Sequence, residues 1–539
     1  MLLRNGRIHT MGRAGETADA LYIENDTIRA VGSWDEVRQV APVNEETVDL
    51  EGCSVLPGFN DSHMHLLMYG ANKSIVDLRG AASLEECIAR TRSFIAQNGV
   101  HPGKWVQAFG WNNDRWEEAR FPTRDDLDRI STDHPVSFKR ACGHASVLNG
   151  MALDRLGIDG DMVPKQGSYD RDAAGKPNGI LREMSYAIRE SIPAPSLAEI
   201  KEMILAAGRD AAAVGITSVQ TDDFGVLSGD PRVNTVQIIR AYRELAERGE
   251  LPVRIYEQCS LRNVDGLGHF WENGFRSGDG DDYFRFGPLK LFTDGSLGAR
   301  TALLTEPYSD APDTRGIAIY RQEELDEIVG MAHEASMAAA IHAIGDEAMW
   351  MAIRAIERAK RKAFKPEVRH GIVHCQITNP AIIEKFAELD LVAHIQPIFL
   401  DYDLHIVESR VGVERASTSY NWKRLLDSGI HVACGTDAPV EKFDPLPNVC
   451  CAVTRRDSNG NPPGGWLPDQ RLSVREAIGI YTAGSAFASH DERRKGTIAP
   501  GMLADLVVLD EDVFDIEPGR IKDISVRMTL CGGIVTHSK

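Results

Sequence analysis

The middle of this chain alternates short apolar runs with stretches that favour helix. The helix-forming stretches include 323–340, 346–361 and 381–389, where apolar residues recur at helical spacing. Such alternation is typical of a parallel sheet covered by helices. Eight runs are present, the number that closes a (β/α)8 barrel, or TIM barrel. They are the segment before His63 and residues 216–220, 253–256, 289–292, 339–342, 372–374, 391–395 and 431–434.

Both ends of the chain contain short β-rich pieces separated by Asn, Asp and Gly turns. We expect residues 1–55 and 495–539 to form one small composite β-sandwich domain. Two independent hairpin extensions are the alternative, but isolated hairpins are marginally stable.

The barrel is expected to span residues 56–494. Roughly 150 residues separate its first two predicted strands, far more than a connecting loop contains. Residues 75–210 are therefore expected to contain an inserted subdomain between strands 1 and 2, ending in a helix over 197–213.

Composition excludes several classes of function. Lys and Arg number 60 against 79 Asp and Glu, and the net charge of −19 gives no general attraction to nucleic acid or anionic membranes. The nine cysteines form no C-x-x-C pair, so neither a zinc ribbon nor a thioredoxin-type site is expected. Unpaired thiols, no apolar signal segment and no run of 18 apolar residues predict a cytoplasmic protein without a membrane span.

The chemistry-bearing residues lie at strand ends. His63 and His65 are two apart, so on a strand both imidazoles point to one face. With 16 His in the chain, chance supplies about half of one such pair, so the pair alone is equally explained by core or solvated histidines. His342, His374 and Asp437 each end a separate predicted strand, at the barrel edge where side chains converge.

Lys290 lies inside the apolar run 289–292. A buried lysine is costly unless something neutralises or coordinates it. A salt-bridged or snorkelling lysine is the alternative at this position.

With these motifs the chain resembles the amidohydrolase superfamily of metal-dependent hydrolases. Within it, the chain is most similar to the branch of YtcJ-like proteins and N-substituted formamide deformylases. This resemblance implies a (β/α)8 barrel with a composite β-domain. The motifs that carry it lie at residues 56–58, 61–65, 143–145, 289–296, 341–346, 435–440, 496–501 and 504–506.

The resemblance also implies a ligand set. His63 and His65 would bind one metal ion, His342 and His374 a second, and Lys290, carboxylated by CO2, would bridge the two. Asp437 would hold the first ion and take a proton from the attacking water. Imidazoles with carboxylates suit Zn2+, which lowers the pKa of bound water towards 7. One or two zinc ions per chain are expected.

Other residues are candidates for substrate binding. They are Trp111 as an aromatic wall, His144 in the insertion, Arg300 as an anion contact, and His394 at the end of the seventh strand. Ordinary packing or a surface ion pair explains each of them equally well. His370 is expected to be a structural histidine, because the Glu of a metalloprotease H-E-x-x-H helix is missing.

The expected function is hydrolysis of a C–N bond in a small non-peptide amide, such as a formamide, acyl amide or cyclic amide. Deamination of a heterocyclic amine is an alternative that Lys290 disfavours. A non-catalytic, amidohydrolase-like assembly protein is another, disfavoured because all six ligand positions hold competent residues. We expect a small-molecule substrate, and a homodimer is the default oligomer.

Overall fold

The computed structural model describes residues 1–12, 16–164, 166–227 and 230–539. The chain forms two compact units. The first comprises Met1–Leu67, Ile204–Phe224 and Ile239–Lys539, and the second comprises Met68–Met203 and Gly225–Ile238.

The first unit contains a sheet of eight parallel strands in which each strand pairs with its neighbour in the sequence. This order is that of a (β/α)8 barrel, so the predicted fold class is confirmed. The strands are β1 (Phe59–Met64), β2 (Ile216–Thr221), β3 (Arg254–Cys259), β4 (Phe284–Phe292), β5 (Ala339–Ala343), β6 (Gly371–His374), β7 (Val392–Ile395) and β8 (His431–Cys434).

The barrel closes through the segment that follows β8. The backbone N–H of Asp437 donates to the carbonyl of His63, and that of His65 donates to the carbonyl of Ala438, both at 2.8 Å. A side chain at Gly435 would clash, because its Cβ would lie 2.6 Å from the backbone nitrogen of His63. The closure therefore brings Asp437 beside both histidines of β1.

Helices follow the strands and bury their apolar faces. In Asp346–Lys362, Asp346 and Glu347 lie in the first turn and three basic residues in the last, which complements the helix dipole. Within the described residues, no helix is long and apolar enough to cross a membrane. The other helices of the first unit are Trp34–Val40, Val264–Glu272, Gln322–Glu334, Pro380–Glu388, Leu400–Asp403, Val407–Ala416, Trp422–Asp427, Pro445–Thr454, Val474–Gly479 and Ser485–Ala488.

A second sheet of the first unit combines strands from both ends of the chain. Ser54–Pro57 pairs antiparallel with Leu506–Leu509, so the composite β-domain is real and the alternative of two separate hairpins is excluded. Its core contains Leu3, Ile8 and Leu530. The other strands are Leu2–His9, Thr17–Glu24, Thr27–Gly32, Thr47–Asp49, Val526–Cys531 and Ile534–Ser538.

The second unit has its own six-stranded sheet and its own apolar core. The sheet falls within residues 75–210, where the sequence predicts an inserted subdomain; the domain boundaries themselves stay a prediction. Its strands are Ile75–Asp77, Val106–Trp111, Val136–Arg140, Ala145–Leu148, Ser168–Arg171 and Pro177–Arg182. Its helices are Leu84–Gln97, Arg124–Asp128, Gly150–Leu156 and Ser185–Ser191. Three further helices, Leu66–Asn72, Leu197–Ala213 and Pro231–Glu247, each contain residues of both units.

Candidate metal centre

Three predicted ligands meet at the carboxyl-terminal ends of the barrel strands. His63, His374 and Asp437 are buried, and each offers a ligand atom within 4.8 Å of the other two. Nε2 of His65 lies 3.2 Å from Oδ1 of Asp437, and Nε2 of His63 lies 3.4 Å from the same oxygen. The ring of His342 extends the group, since its centroid is 4.4 Å from that of His374.

Lys290 lies on β4 and is completely buried. Its Nζ is 3.6 Å from the centroid of the Phe292 ring and has no hydrogen-bond partner among the described residues. Burial lowers the pKa of Lys290 to about 8, although the charges of Asp222 and Asp437 oppose this shift. No direct ion pair holds this lysine in the described part of the chain, so a structural salt bridge does not account for it.

A hydrogen bond at Nδ1, the ring nitrogen that points away from the cluster, fixes the ring orientation of three histidines. Nδ1 of His63 donates to Oε1 of Gln258 at 2.7 Å, and Nδ1 of His374 donates to Oε1 of Gln396 at 2.8 Å. Nδ1 of His65 donates to the backbone carbonyl of Asp222 at 2.9 Å. In the neutral form of each ring the Nε2 lone pair therefore faces the cluster, as in metal-binding histidines with outer-shell partners.

His342 is held the opposite way round. Its Nε2 donates to the backbone carbonyl of Gly295 at 3.1 Å and lies 3.2 Å from Oδ1 of Asp294. Nδ1 is therefore the nitrogen of His342 that remains for a ligand bond.

The electrostatics of the cluster favour a cation. Burial lowers the pKa values of His63 and His374 well below the ordinary histidine value, so both imidazoles are neutral, as metal ligands must be. Burial also acts to lower the pKa of His65, but the hydrogen bond and charge of Asp437 raise it to about 9. The position between His65 and Asp437 thus attracts positive charge.

Two of the clustered residues have a left-handed backbone that is rare outside glycine. The φ angle is 83° at His374 and 57° at Asp437. Such conformations cost of order 1–3 kcal/mol each and are typical of functional sites. At both positions the turn out of the strand directs the side chain towards the cluster.

These residues fit a divalent metal. The cluster consists of neutral imidazoles, a carboxylate and a buried amine without a hydrogen-bond partner. Burying these groups without a cation costs free energy, and imidazoles with a carboxylate suit zinc. The assignment of the six ligands remains a prediction.

The candidate substrate-binding residues have other partners. Trp111 is fully buried in the core of the second unit, and His144 is 73% exposed and paired with Glu183. Arg300 makes two hydrogen bonds to Asp310, at 3.0 and 2.9 Å. His394 is buried on β7, and burial lowers its pKa to about 4. Their contact with substrate stays a prediction.

Sequence reasoning missed Asp222 and Gln258, which orient His65 and His63. Asp222 directly follows β2, and Gln258 lies near the end of β3. Both satisfy the strand-end criterion that selected the predicted ligands, but glutamine is not a usual metal ligand, and Asp222 acts through its backbone carbonyl, which its residue type does not reveal.

A barrel with a buried cluster of histidines, an aspartate and a lysine at its strand ends defines a class, the metal-dependent hydrolases of the amidohydrolase type. Residues 46–537 match the model of the amidohydrolase family. The putative amidohydrolase YtcJ of Bacillus subtilis strain 168 is 34% identical, with 99% of this chain and 98% of that protein covered.

Two further comparisons agree. The N-substituted formamide deformylase of Arthrobacter pascens is 26% identical over 100% of this chain and 98% of that protein. The crystal structure of an uncharacterized metal-dependent hydrolase from Pyrococcus furiosus superposes with a TM-score of 0.79 at 30% identity, covering 95% of this chain and 99% of that one. The chain therefore belongs to the amidohydrolase family and is a hydrolase that acts on C–N bonds.

Proposed function

We propose that this protein hydrolyses the C–N bond of a small non-peptide amide. The observation that carries the proposal is the cluster of His63, His65, His374 and Asp437, which His342 extends, with the buried Lys290 on the neighbouring strand β4. A hydrogen bond to the other ring nitrogen orients each of the four imidazoles. His63, His65 and Asp437 would hold one zinc ion, and His342 and His374 a second, with Lys290 between them. Bound zinc would lower the pKa of water towards 7 and polarise the amide carbonyl.

Asp437 is the proposed proton carrier. Its carboxylate is buried beside His63 and His65, and both of these rings are fixed by their Nδ1 hydrogen bonds. One carboxylate oxygen would take the proton of the attacking water and deliver it to the amide nitrogen as the C–N bond breaks. General acid–base groups of this kind contribute about 10²–10⁴-fold to rate.

Lys290 is proposed to react with CO2. Its pKa of about 8 leaves a large neutral fraction near that pH, and the neutral amine is the reactive form. A bond forms between Nζ and the carbon of CO2, a proton is lost, and the side chain becomes an anionic carbamate. The carbamate removes the unpaired positive charge of the buried lysine and supplies two oxygens that can bind metal.

The substrate class follows from this chemistry and from the relatives. A deformylase of N-substituted formamides is among the proteins similar to this chain over their full length. Small formamides and acyl amides are the substrates we propose, with cyclic amides as the third group.

The test is a hydrolysis screen of zinc-loaded protein against N-formyl amines, N-acyl amines, lactams and aminated heterocycles. We expect amine release from at least one amide, loss of activity after chelation, and recovery with zinc. Asp437→Asn is expected to lower kcat at least 100-fold. Ammonia release from heterocycles without amide hydrolysis would instead identify a deaminase, and no activity in any group would refute the proposal.

A further inference from the structure

Arg262 lies at the mouth of the barrel, meaning the strand ends and the loops that follow them. It comes three residues after β3, and the hydroxyl of Tyr320 donates to its backbone carbonyl at 2.6 Å. Its guanidinium carbon lies 4.9 Å from the centroid of the Phe292 ring, and its Nε lies 3.5 Å from Oγ of Ser260. Backbone and side chain are therefore both held in place.

The same phenylalanine connects Arg262 to the metal cluster. Nζ of Lys290 lies 3.6 Å from the Phe292 centroid, so the guanidinium carbon and Nζ are at most about 8.5 Å apart.

Arg262 is exposed and forms no ion pair with a carboxylate in the part of the chain that the structure describes. Arg300 and Arg410 differ, since Asp310 neutralises both of them. Among the described residues, Nη1 and Nη2 of Arg262 have no hydrogen-bond partner, while Nε is turned towards Ser260. A planar guanidinium with this free fork matches the two oxygens of a carboxylate.

We propose that Arg262 binds a carboxylate of the substrate, and that this protein therefore acts on anionic amides of the N-acyl amino acid type. The inference rests on the proposed amide hydrolysis and adds the charge of the substrate to it. In an N-acyl amino acid three bonds separate the acyl carbon from the carboxyl carbon, a span of about 3.8 Å at most. With a charge-assisted hydrogen bond of about 2.8 Å, the combined reach of about 6.6 Å lies within the upper limit of about 8.5 Å between Nζ of Lys290 and the guanidinium carbon of Arg262.

The ring of Phe292 orients the guanidinium of Arg262. The ring lies next to the guanidinium, an arrangement that holds an arginine in position without using its donors. The carboxylate would thus meet an oriented partner, which lowers the entropy cost of binding.

The test uses matched pairs of compounds, each an N-formyl or N-acetyl amino acid and its primary carboxamide, which has the same shape without the charge. We expect zinc-loaded protein to prefer the acid at least tenfold in kcat/KM. Arg262→Gln is expected to remove this preference by raising KM for the acid more than KM for the carboxamide. Arg361→Gln, at an exposed arginine that pairs with Glu357 on its own helix, is the matched control and should keep the preference.

A binding measurement separates this inference from the proposed function. Calorimetric titration with the same pairs reports affinity even where nothing is hydrolysed. Tighter binding of the acid to the native protein than to Arg262→Gln supports the carboxylate site even if hydrolysis fails. Equal preference in the native protein and Arg262→Gln, by rate or by affinity, would overturn the site even if amides are hydrolysed.

Discussion

Individual residues at the centre depend on partners that do not themselves bind metal. Gln258 accepts from Nδ1 of His63, and its own amide nitrogen donates to the carbonyl of Ser62 at 3.0 Å. The second bond fixes which end of the amide faces the histidine. Gln258 therefore sets both the tautomer and the ring plane of His63.

Replacing Gln258 with Leu should weaken zinc binding about 10- to 100-fold, because His63 would lose its orienting acceptor. Gln258→Glu keeps an acceptor at the same place and should bind zinc nearly as tightly as the native protein. Competition with a chromophoric chelator measures both affinities. Native affinity in Gln258→Leu would show that the hydrogen bond has no role in ligand orientation.

The predictability of the site also differs by residue. His63, His65, His342, His374 and Asp437 could be selected because their side chains bind metals and stand at strand ends. The left-handed backbone at His374 and Asp437 could not, because a positive φ is uncommon even for His and Asp, which adopt it more often than most residues other than glycine. Only the closed barrel imposes it.

At the level of elements, a buried histidine pair joins the helix Gln322–Glu334 to the barrel. The backbone N–H of Ala339 donates to Nδ1 of His370 at 3.0 Å, so Nε2 of His370 carries the proton and donates to Nδ1 of His333 at 2.9 Å. Nε2 of His333 then donates to the carbonyl of Ala363 at 2.8 Å. Every ring nitrogen is used, and both rings must be neutral, as expected for a structural His370.

This pair predicts a loss of stability in acid. Burial, with a smaller contribution from the charge of Lys360, lowers the pKa of His370 to about 3. Its contribution is complete above the unfolded value near 6.5 and declines as the pH falls towards 3, at about 1.4 kcal/mol per pH unit. The native protein should therefore lose about 2 kcal/mol more than His370→Asn between pH 7.5 and 5.

Denaturant unfolding at the two pH values measures this difference. His269→Asn, which replaces an exposed histidine, is the control and should follow the native protein. The same pH dependence in His370→Asn as in the native protein would contradict the assignment of a neutral pair.

Element boundaries show where the sequence signal fails. The helix predicted over 323–340 ends at Glu334, and residues 339–343 form β5. Alanines at 338–340 favour helix by propensity, but the barrel needs a strand there and tertiary packing overrides the local preference. Strand β4 begins at Phe284, five residues before the predicted run.

At the scale of the molecule, one buried ion pair links the barrel to the composite sheet. Arg254 at the start of β3 makes two hydrogen bonds to Asp505, at 2.8 and 2.9 Å, and the two side chains are 6% and 3% exposed. Asp505 also accepts from the backbone N–H of Gly532 at 2.7 Å. The apolar pattern predicted both sheets, but no periodicity could reveal this pairing across 251 residues.

Asp505→Ala should destabilise the protein by about 3–5 kcal/mol, because it leaves the buried charge of Arg254 without a partner. Glu511→Ala breaks the exposed pair with Arg520 and should cost less than about 1 kcal/mol. Thermal and denaturant unfolding compare the two variants. Equal costs would mean that the buried pair does not join the two sheets energetically.

The metal content of the purified protein tests the proposed centre most directly. Elemental analysis after growth with zinc and purification without chelator should give one to two ions per chain in the native protein and in His269→Asn. His63→Asn and His374→Asn should bind clearly less, because each removes a ligand that Gln258 or Gln396 orients. A native protein with far less than one ion per chain, or ligand variants that retain the full content, would contradict a metal centre at these residues.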